Sequence, residues 1–367
     1  MKDLRRDSAK SFEENIAQVE KELNKKFGQG TLMILGNEAE IQKVPVFPTG
    51  ILPLDLALRT GGFPKGRLVE VFGSEGGGKT SITLHLIAKC QEEGGTTAFV
   101  DAEHTLDPKL AKKYGVDLSK LYFSQPDSAT ECLAVIERLV GIGIDLIVVD
   151  SVAAIAEDSL MEGTLDDAGQ KVATLSRIIG PAVKKFSVMA ANTGTCLVFI
   201  NQLRSVISSG YGAGPAETTP GGRALKFHAS LRLDVRREKA LYGKDNEQIG
   251  HVIKARVVKN KLAAPYTVAK FSLVYGKRIT DADCLVEMAA ERGVLDRKGP
   301  WYWFEGERIA NGTAATQEAL KARPELAEAI RKKLFETGGQ EDEEGFAEEA
   351  EAINESRQEE VQTEVDQ

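Results

Sequence analysis

Gly73-Ser74-Glu75-Gly76-Gly77-Gly78-Lys79-Thr80 decides how this 367-residue chain is read. It fits GxxxxGK[ST], with an apolar run, Leu68 to Phe72, before it and a helical pattern, Thr80 to Gln91, after it. That is the context the motif requires. Glycines let backbone N–H groups converge on a phosphate without Cβ clashes. The following helix aims its unpaired N–H groups and positive dipole end at the same anion. Lys79 is spaced to reach the β and γ phosphates of a nucleotide, and the Thr80 hydroxyl to ligate Mg²⁺.

Outward from this loop, the same pattern repeats. Thr97 to Val100, Leu146 to Val149 and Cys196 to Ile200 are short runs, largely apolar on both faces, as central strands of a parallel sheet are. Helical stretches such as Ala129 to Val140 supply the crossovers. The strands end at Asp101-Ala102-Glu103, Asp150 and Asn201-Gln202. Ligands of open α/β sheets bind beyond the carboxyl ends of the strands. One edge thus receives a phosphate loop, an acid pair, a metal-side acid and an amide. This is the inventory of nucleoside-triphosphate hydrolysis, with Glu103 handling the attacking water. Later runs alternate instead. Leu231, Leu233 and Val235 interleave with Arg232, Asp234 and Arg236, and His251 to Lys259 does the same, which predicts an antiparallel extension.

Two irregular segments follow strands. Met161 to Lys171 and Arg204 to Gly222 read as mobile loops. The second starts beside Gln202 and ends at Gly221-Gly222 before a helix start with Arg223, a geometry suited to a nucleic-acid phosphate. Phe12, Ile16, Val19, Leu23 and Phe27 form one apolar helical stripe near the start of the chain, followed by a short strand, Thr31 to Leu35. The stripe packs either on its own domain or on a neighbouring subunit.

The chain is 42% hydrophobic and 28% charged, so it holds enough apolar material for a sizeable core. No apolar run approaches the roughly 20 residues of a membrane-spanning helix. That predicts no membrane partner, and four cysteines without a CxxC pair predict a reducing, cytoplasmic setting. The net charge is −8, but residues 341–367 hold 12 acidic side chains and one arginine. Residues 1–340 therefore carry +3, and the end of the chain reads as a solvated polyanion.

Together, the Phe72–Ser81 loop, Val100-Asp101-Ala102-Glu103-His104, Val148-Val149-Asp150-Ser151, Phe199-Ile200-Asn201-Gln202-Leu203-Arg204 and Val257-Val258-Lys259-Asn260-Lys261 resemble the bacterial RecA recombinase family. The resemblance runs from about Asn15 to Phe335. It implies an α/β fold: a RecA-type P-loop NTPase core with a mostly parallel central sheet, an N-terminal helix–strand arm and a small C-terminal α+β domain. The boundaries expected are 1–36 for a polymerisation arm, 37–279 for the ATPase core, 280–337 for the C-terminal domain and 338–367 for a disordered acidic tail.

The activity implied is a DNA-dependent ATPase using ATP and Mg²⁺. Its partners would be single-stranded DNA, duplex DNA, a LexA-type repressor and further copies of itself in a helical filament. By resemblance, Glu103, Gln202, Lys259 and Lys261 are catalytic, the two lysines reaching a neighbour's ATP. Gly73, Ser74, Glu75, Gly76, Gly77, Gly78, Lys79, Thr80, Ser81 and Asp107 bind the nucleotide, and Thr80 and Asp150 the metal. Arg177, Arg204, Tyr211, Gly221, Gly222 and Arg223 face DNA, and Phe227 lies at the subunit interface. The rival readings are a ring helicase of the same core fold and an ATP-switched DNA-binding regulator.

Some residues depart from the family pattern. The loop carries Gly76-Gly77 where a bulkier pair is usual, which predicts a more flexible cradle. Leu110 stands at an aromatic position, and Asp166 and Asp167 enter the first DNA loop. Gly180-Pro181 is expected to interrupt the helix after that loop.

Overall fold

A computed structural model of the chain describes residues 11–28, 31–32, 44–152, 168–206, 216–218, 222–243 and 245–334. It divides into two compact units, Met1–Val44 and Pro45–Gln367. In the first, helix α1 (Phe12–Phe27) starts on a reciprocal cap. The Glu14 N–H donates to Ser11 Oγ at 3.2 Å and the Ser11 N–H to Glu14 Oε2 at 2.9 Å, satisfying two of the helix's free donors. Phe12, Ile16 and Phe27 of the apolar stripe are exposed. Of the predicted strand, Thr31 and Leu32 form a bend and the rest lies outside the described residues.

The second unit is built on an eight-stranded sheet. Its strands are β1 (Leu68–Gly73), β2 (Thr97–Asp101), β3 (Leu121–Ser124), β4 (Leu146–Asp150), β5 (Cys196–Gln202), β6 (Leu231–Tyr242), β7 (Gln248–Asn260) and β8 (Val268–Val274). They lie in the order β8-β7-β6-β1-β5-β4-β2-β3. All pairs from β6 to β3 are parallel. The Leu231 strand is thus corrected in part. Its first residues pair parallel with β1, Leu231 opposite Val69, and the antiparallel extension begins only at its other edge, with β7 and then β8. Strand β3 escaped the sequence reading, because Tyr122 and Phe123 of this short edge strand are both exposed and show no alternation.

The pleat sorts the central strands to two cores. Leu146 and Val148 face one layer, Ile147 and Val149 the other. The first layer is covered by helix α2 (Lys79–Glu92), through Leu84 and Ile87. The second is covered by α3 (Ala129–Ile142) and α4 (Ala168–Thr193). Cys132, Ile136 and Val140 recur every fourth residue of α3, each buried, and burial of the two aliphatic side chains contributes roughly 1.5–3 kcal/mol apiece. Helix α4 runs through Pro181, so the predicted interruption is corrected. Proline inside a helix costs about 3 kcal/mol. Burial of Ile179, Val183, Phe186 and Ala190 on the same helix offsets that cost.

The first predicted loop, Met161 to Lys171, is corrected at its end: Ala168 to Lys171 already belong to helix α4, and Met161 to Asp167 lie outside the described residues. The second predicted loop is not structureless at its ends. Arg204–Val206 and Ala216–Thr218 pair as a short antiparallel ribbon, with Arg204 opposite Thr218. Helix α5 (Gly222–His228) follows.

The C-terminal part adds helices Asp281–Glu291 and Thr313–Ala322 around a three-stranded antiparallel sheet, Asp296–Lys298, Trp301–Phe304 and Glu307–Asn311. It is more than helical, since the aromatic segment is its central strand. Leu285, Tyr302, Phe304 and Leu334 join the same buried cluster as Val69 and Leu84 of the core. Among the described residues no helix is long and apolar enough to cross a membrane.

Candidate nucleotide site

The phosphate loop leaves β1 at Gly73 and enters α2 through Gly78, which takes a left-handed conformation at φ +94° before Lys79. A side chain there would be strained, so glycine is the residue for this cap. The Lys79 ammonium is buried and donates to the Ser74 carbonyl at 2.8 Å and the Gly73 carbonyl at 3.2 Å. Burial lowers its pKa, while Asp150, Glu103 and Glu75 favour the charged form. The Thr80 hydroxyl donates to Asp150 Oδ2 at 2.9 Å. Ser81 Oγ lies 3.4 Å from the Tyr114 hydroxyl.

Asp150 ends β4 and is buried. Burial, and then the neighbouring Glu103 and Asp101, push its pKa up to about 7, against the pull of Thr80 and Lys79. Such a carboxylate fits a hard cation, whose arrival would favour its charged form. The Thr80–Asp150 pair offers only oxygen donors, as Mg²⁺ prefers. Among the described residues no three His, Cys, Asp or Glu side chains are grouped to hold a metal alone, so phosphate and water would complete the shell.

Glu103 is placed by backbone. The N–H groups of Ala102 and Glu103 donate to the Asp150 carbonyl at 2.7 and 3.2 Å, tying the end of β2 to that of β4. The buried Asp101 carboxylate then shapes the turn beyond, accepting from the N–H groups of Thr105 and Leu106 and from Gln125 Nε2. Glu103 Oε1 accepts from Gln202 Nε2 at 3.0 Å and also from the Ser151 hydroxyl. Glu103, Gln202, Asp150, Thr80 and Lys79 therefore meet at one sheet edge, as their strand ends predict. Asp101, expected beside Glu103 as one acid pair, serves the turn instead, and the Ser151 hydroxyl is a partner of Glu103 that the strand-end pattern does not mark.

Asn201 does not share this edge. Its Nδ2 donates to the fully buried Glu70 at 3.0 Å, and Glu70 in turn accepts from Arg232 Nε at 2.5 Å. Asp107 caps helix Pro108–Lys113 by accepting from the Lys109 N–H at 2.8 Å. Leu110 of that helix packs against the core.

Lys259 and Lys261 stand apart. Lys259 pairs with Arg232, which is level with Glu70, before the loop end of β1. Its ammonium donates to the carbonyls of Lys226 and Phe227 at 2.7 and 2.9 Å, and Lys261 reaches the Phe227 carbonyl at 3.4 Å. Both cap the C-terminal end of α5, where cations offset the dipole. Phe227 is exposed there. Arg177 belongs to α4, Arg204 opens the ribbon, and Gly222 and Arg223 begin α5. Tyr211 and Gly221 lie outside the described residues.

His85 belongs to none of the sequence motifs. Its Nε2 accepts from the Ile279 N–H at 2.9 Å, so Nδ1 carries the proton shared with the Ser81 carbonyl at 2.7 Å. Burial pushes its pKa down to about 4.

A strand, a glycine-rich turn and a helix that seat a buried lysine beside a threonine–aspartate pair and a strand-end carboxylate define a P-loop nucleoside triphosphatase. Comparison with known proteins narrows the class. The family model for the RecA N-terminal domain matches residues 12–280, and that for the RecA C-terminal domain matches residues 283–338. Protein RecA of Rubrobacter xylanophilus is 42% identical over 342 residues, 92% of this chain and 96% of the relative. Protein RecA of Chlamydia muridarum is 40% identical over 332 residues, 90% and 92% of the two chains. The chain belongs to the RecA family. It is a DNA-dependent ATPase of homologous recombination and DNA repair, which sets aside the ring helicase and the regulator.

Proposed function

We propose that this ATPase forms helical filaments on single-stranded DNA, pairs them with homologous duplex DNA and exchanges strands. The hydrogen bond from Gln202 to Glu103 carries the proposal. It joins a carboxylate suited to orient and deprotonate water to an amide that ends β5, and only Leu203 separates that amide from the Arg204 ribbon. In this reading Gly73–Ser81 cradles the phosphates, Lys79 bridges the β and γ groups and Asp107 lies toward the nucleoside. Thr80 and Asp150 hold Mg²⁺, which when bound neutralises phosphate charge. Gln202 senses the γ-phosphate. Arg177, Arg204, Tyr211, Gly221, Gly222 and Arg223 face DNA.

Gln202→Ala is the test. ATP should still bind, but DNA affinity should no longer rise with it, because a nucleotide shifts an equilibrium only through contacts that differ between the two states. Labelled single-stranded DNA titrated with and without ATP reads this directly. An ATP response of wild-type size in the variant removes Gln202 from the sensor role.

Residues 1–36 act in this reading as the polymerisation arm, supported by the exposed Phe12, Ile16 and Phe27. Residues 37–279, 280–337 and 338–367 act as ATPase core, C-terminal domain and acidic tail. Phe227 lies between subunits, and Lys259 and Lys261 act on the neighbour's nucleotide. Mixing Lys261→Ala with Lys79→Ala subunits then creates interfaces with an intact loop on one side and intact lysines on the other. DNA-dependent ATPase activity should partly return. Inactive mixtures, with co-assembly verified, would place the lysines' action within their own subunit. The DNA filament also promotes self-cleavage of a LexA-type repressor in the cytoplasm, a compartment that suits four buried free cysteines.

A further inference from the structure

The phosphate loop has a brace that its own sequence does not supply. Arg237 Nε donates to the Gly76 carbonyl at 2.6 Å, across 161 residues of sequence. Gly76 is left-handed at φ +61°, and a Cβ built on it falls onto Arg237 Nη2. The guanidinium therefore stands where a side chain of residue 76 would stand.

The arginine is aimed there by its strand. The ladder slips between Arg237, opposite Ile253, and Lys239, opposite Val252, leaving Glu238 as the extra residue of a bulge. Glu238 is tied to Lys270 at 2.6 Å. Bulges of this kind turn side chains toward sites beside a sheet. On the same face, Ile253 reaches under Gly78, and the Val235 carbonyl lies under Gly77. The β6–β7 hairpin thus forms the floor of the loop.

A phosphate cradle needs its N–H groups turned inward, and left-handed residues in alternation produce that nest. A cation on an outward carbonyl favours the same orientation. We propose that Arg237 is a positioning residue for ATP binding, holding the Gly76 peptide so that the Gly76-Gly77 loop keeps its N–H groups aimed at the phosphates. The loop is not slack for want of side chains, because an arginine of the neighbouring hairpin replaces them.

The test is a double-mutant cycle read by titration of a fluorescent ATP analogue without DNA. Arg237→Ala removes the brace. Gly76→Asn displaces it sterically, and asparagine tolerates the left-handed backbone, so collision is separated from strain. Each change should weaken nucleotide binding about tenfold, the loss of one charge-assisted hydrogen bond. The double variant should be no weaker than either single one, since both act on the same bond. Arg237→Lys, which keeps charge but not the fork, should fall between wild type and alanine. Arg237 is exposed, so these variants are expected to fold, and circular dichroism checks it. Wild-type affinity in Arg237→Ala, or losses that multiply in the double variant, would overturn the proposal.

Discussion

Replacement of Lys79 by alanine is expected to lower ATP turnover by at least about 10²-fold, the scale of losing one preorganised electrostatic group in an active site. The ammonium is the only cation within Gly73–Ser81. Two loop carbonyls hold it at the phosphate loop, at 2.8 and 3.2 Å, so it stands at the site before phosphate arrives. Its environment is buried, where a charge acts more strongly than in water. The substitution leaves the Gly73 and Ser74 carbonyls without this donor, a loss on the order of 1–3 kcal/mol that a domain with two large cores tolerates. Steady-state hydrolysis with single-stranded DNA, beside a circular dichroism spectrum, separates the two effects. A variant that folds and retains most of its turnover would take Lys79 out of the chemistry.

Glu103→Gln should lower the chemical step by about 10²–10⁴-fold, the range for a general base, while nucleotide affinity stays at the wild-type value. Glutamine preserves the shape, and its carbonyl oxygen can accept the bonds that Ser151 and Gln202 now give to Glu103 Oε1. It cannot take a proton from water. ATP should then persist in the site and the protein should stay longer on DNA. Single-turnover rapid quench measures the step, and dissociation from labelled DNA measures the dwell. An unchanged single-turnover rate would assign the water to another group.

The central strands were legible because burial on both faces writes itself as an uninterrupted apolar run, Leu146 to Val149 being the plainest case. The loop was legible because phosphate binding constrains consecutive residues. Features made by distant residues were not. Nothing local in Leu121–Ser124 marks a strand, since its pairing partner Thr97–Val100 supplies the reason for its extension. Pro181 reads as a breaker until the buried face of α4 is weighed against it. Arg237 looks like any basic residue of an alternating strand, and its bond to Gly76 depends on a bulge that alternation cannot register. Asn201 and Gln202 form one strand end in the sequence, yet the pleat sends the two amides to different partners, Glu70 and Glu103.

The join between β5 and the ribbon has a mechanical consequence. Gln202 closes one strand and Arg204 opens the next, so about 7 Å of extended backbone separates them. The Leu203 N–H is itself fastened to the Gly73 carbonyl at 3.1 Å, at the mouth of the phosphate loop. A tether this short, pinned at its midpoint, has no slack in which to lose a movement. With Gln202 as the proposed γ-phosphate sensor, a backbone shift of an ångström at that residue should reach the ribbon as displacement rather than be absorbed as loop disorder. Lengthening the tether by a glycine or two would act as a clutch, disengaging one end of the lever from the other while leaving both intact.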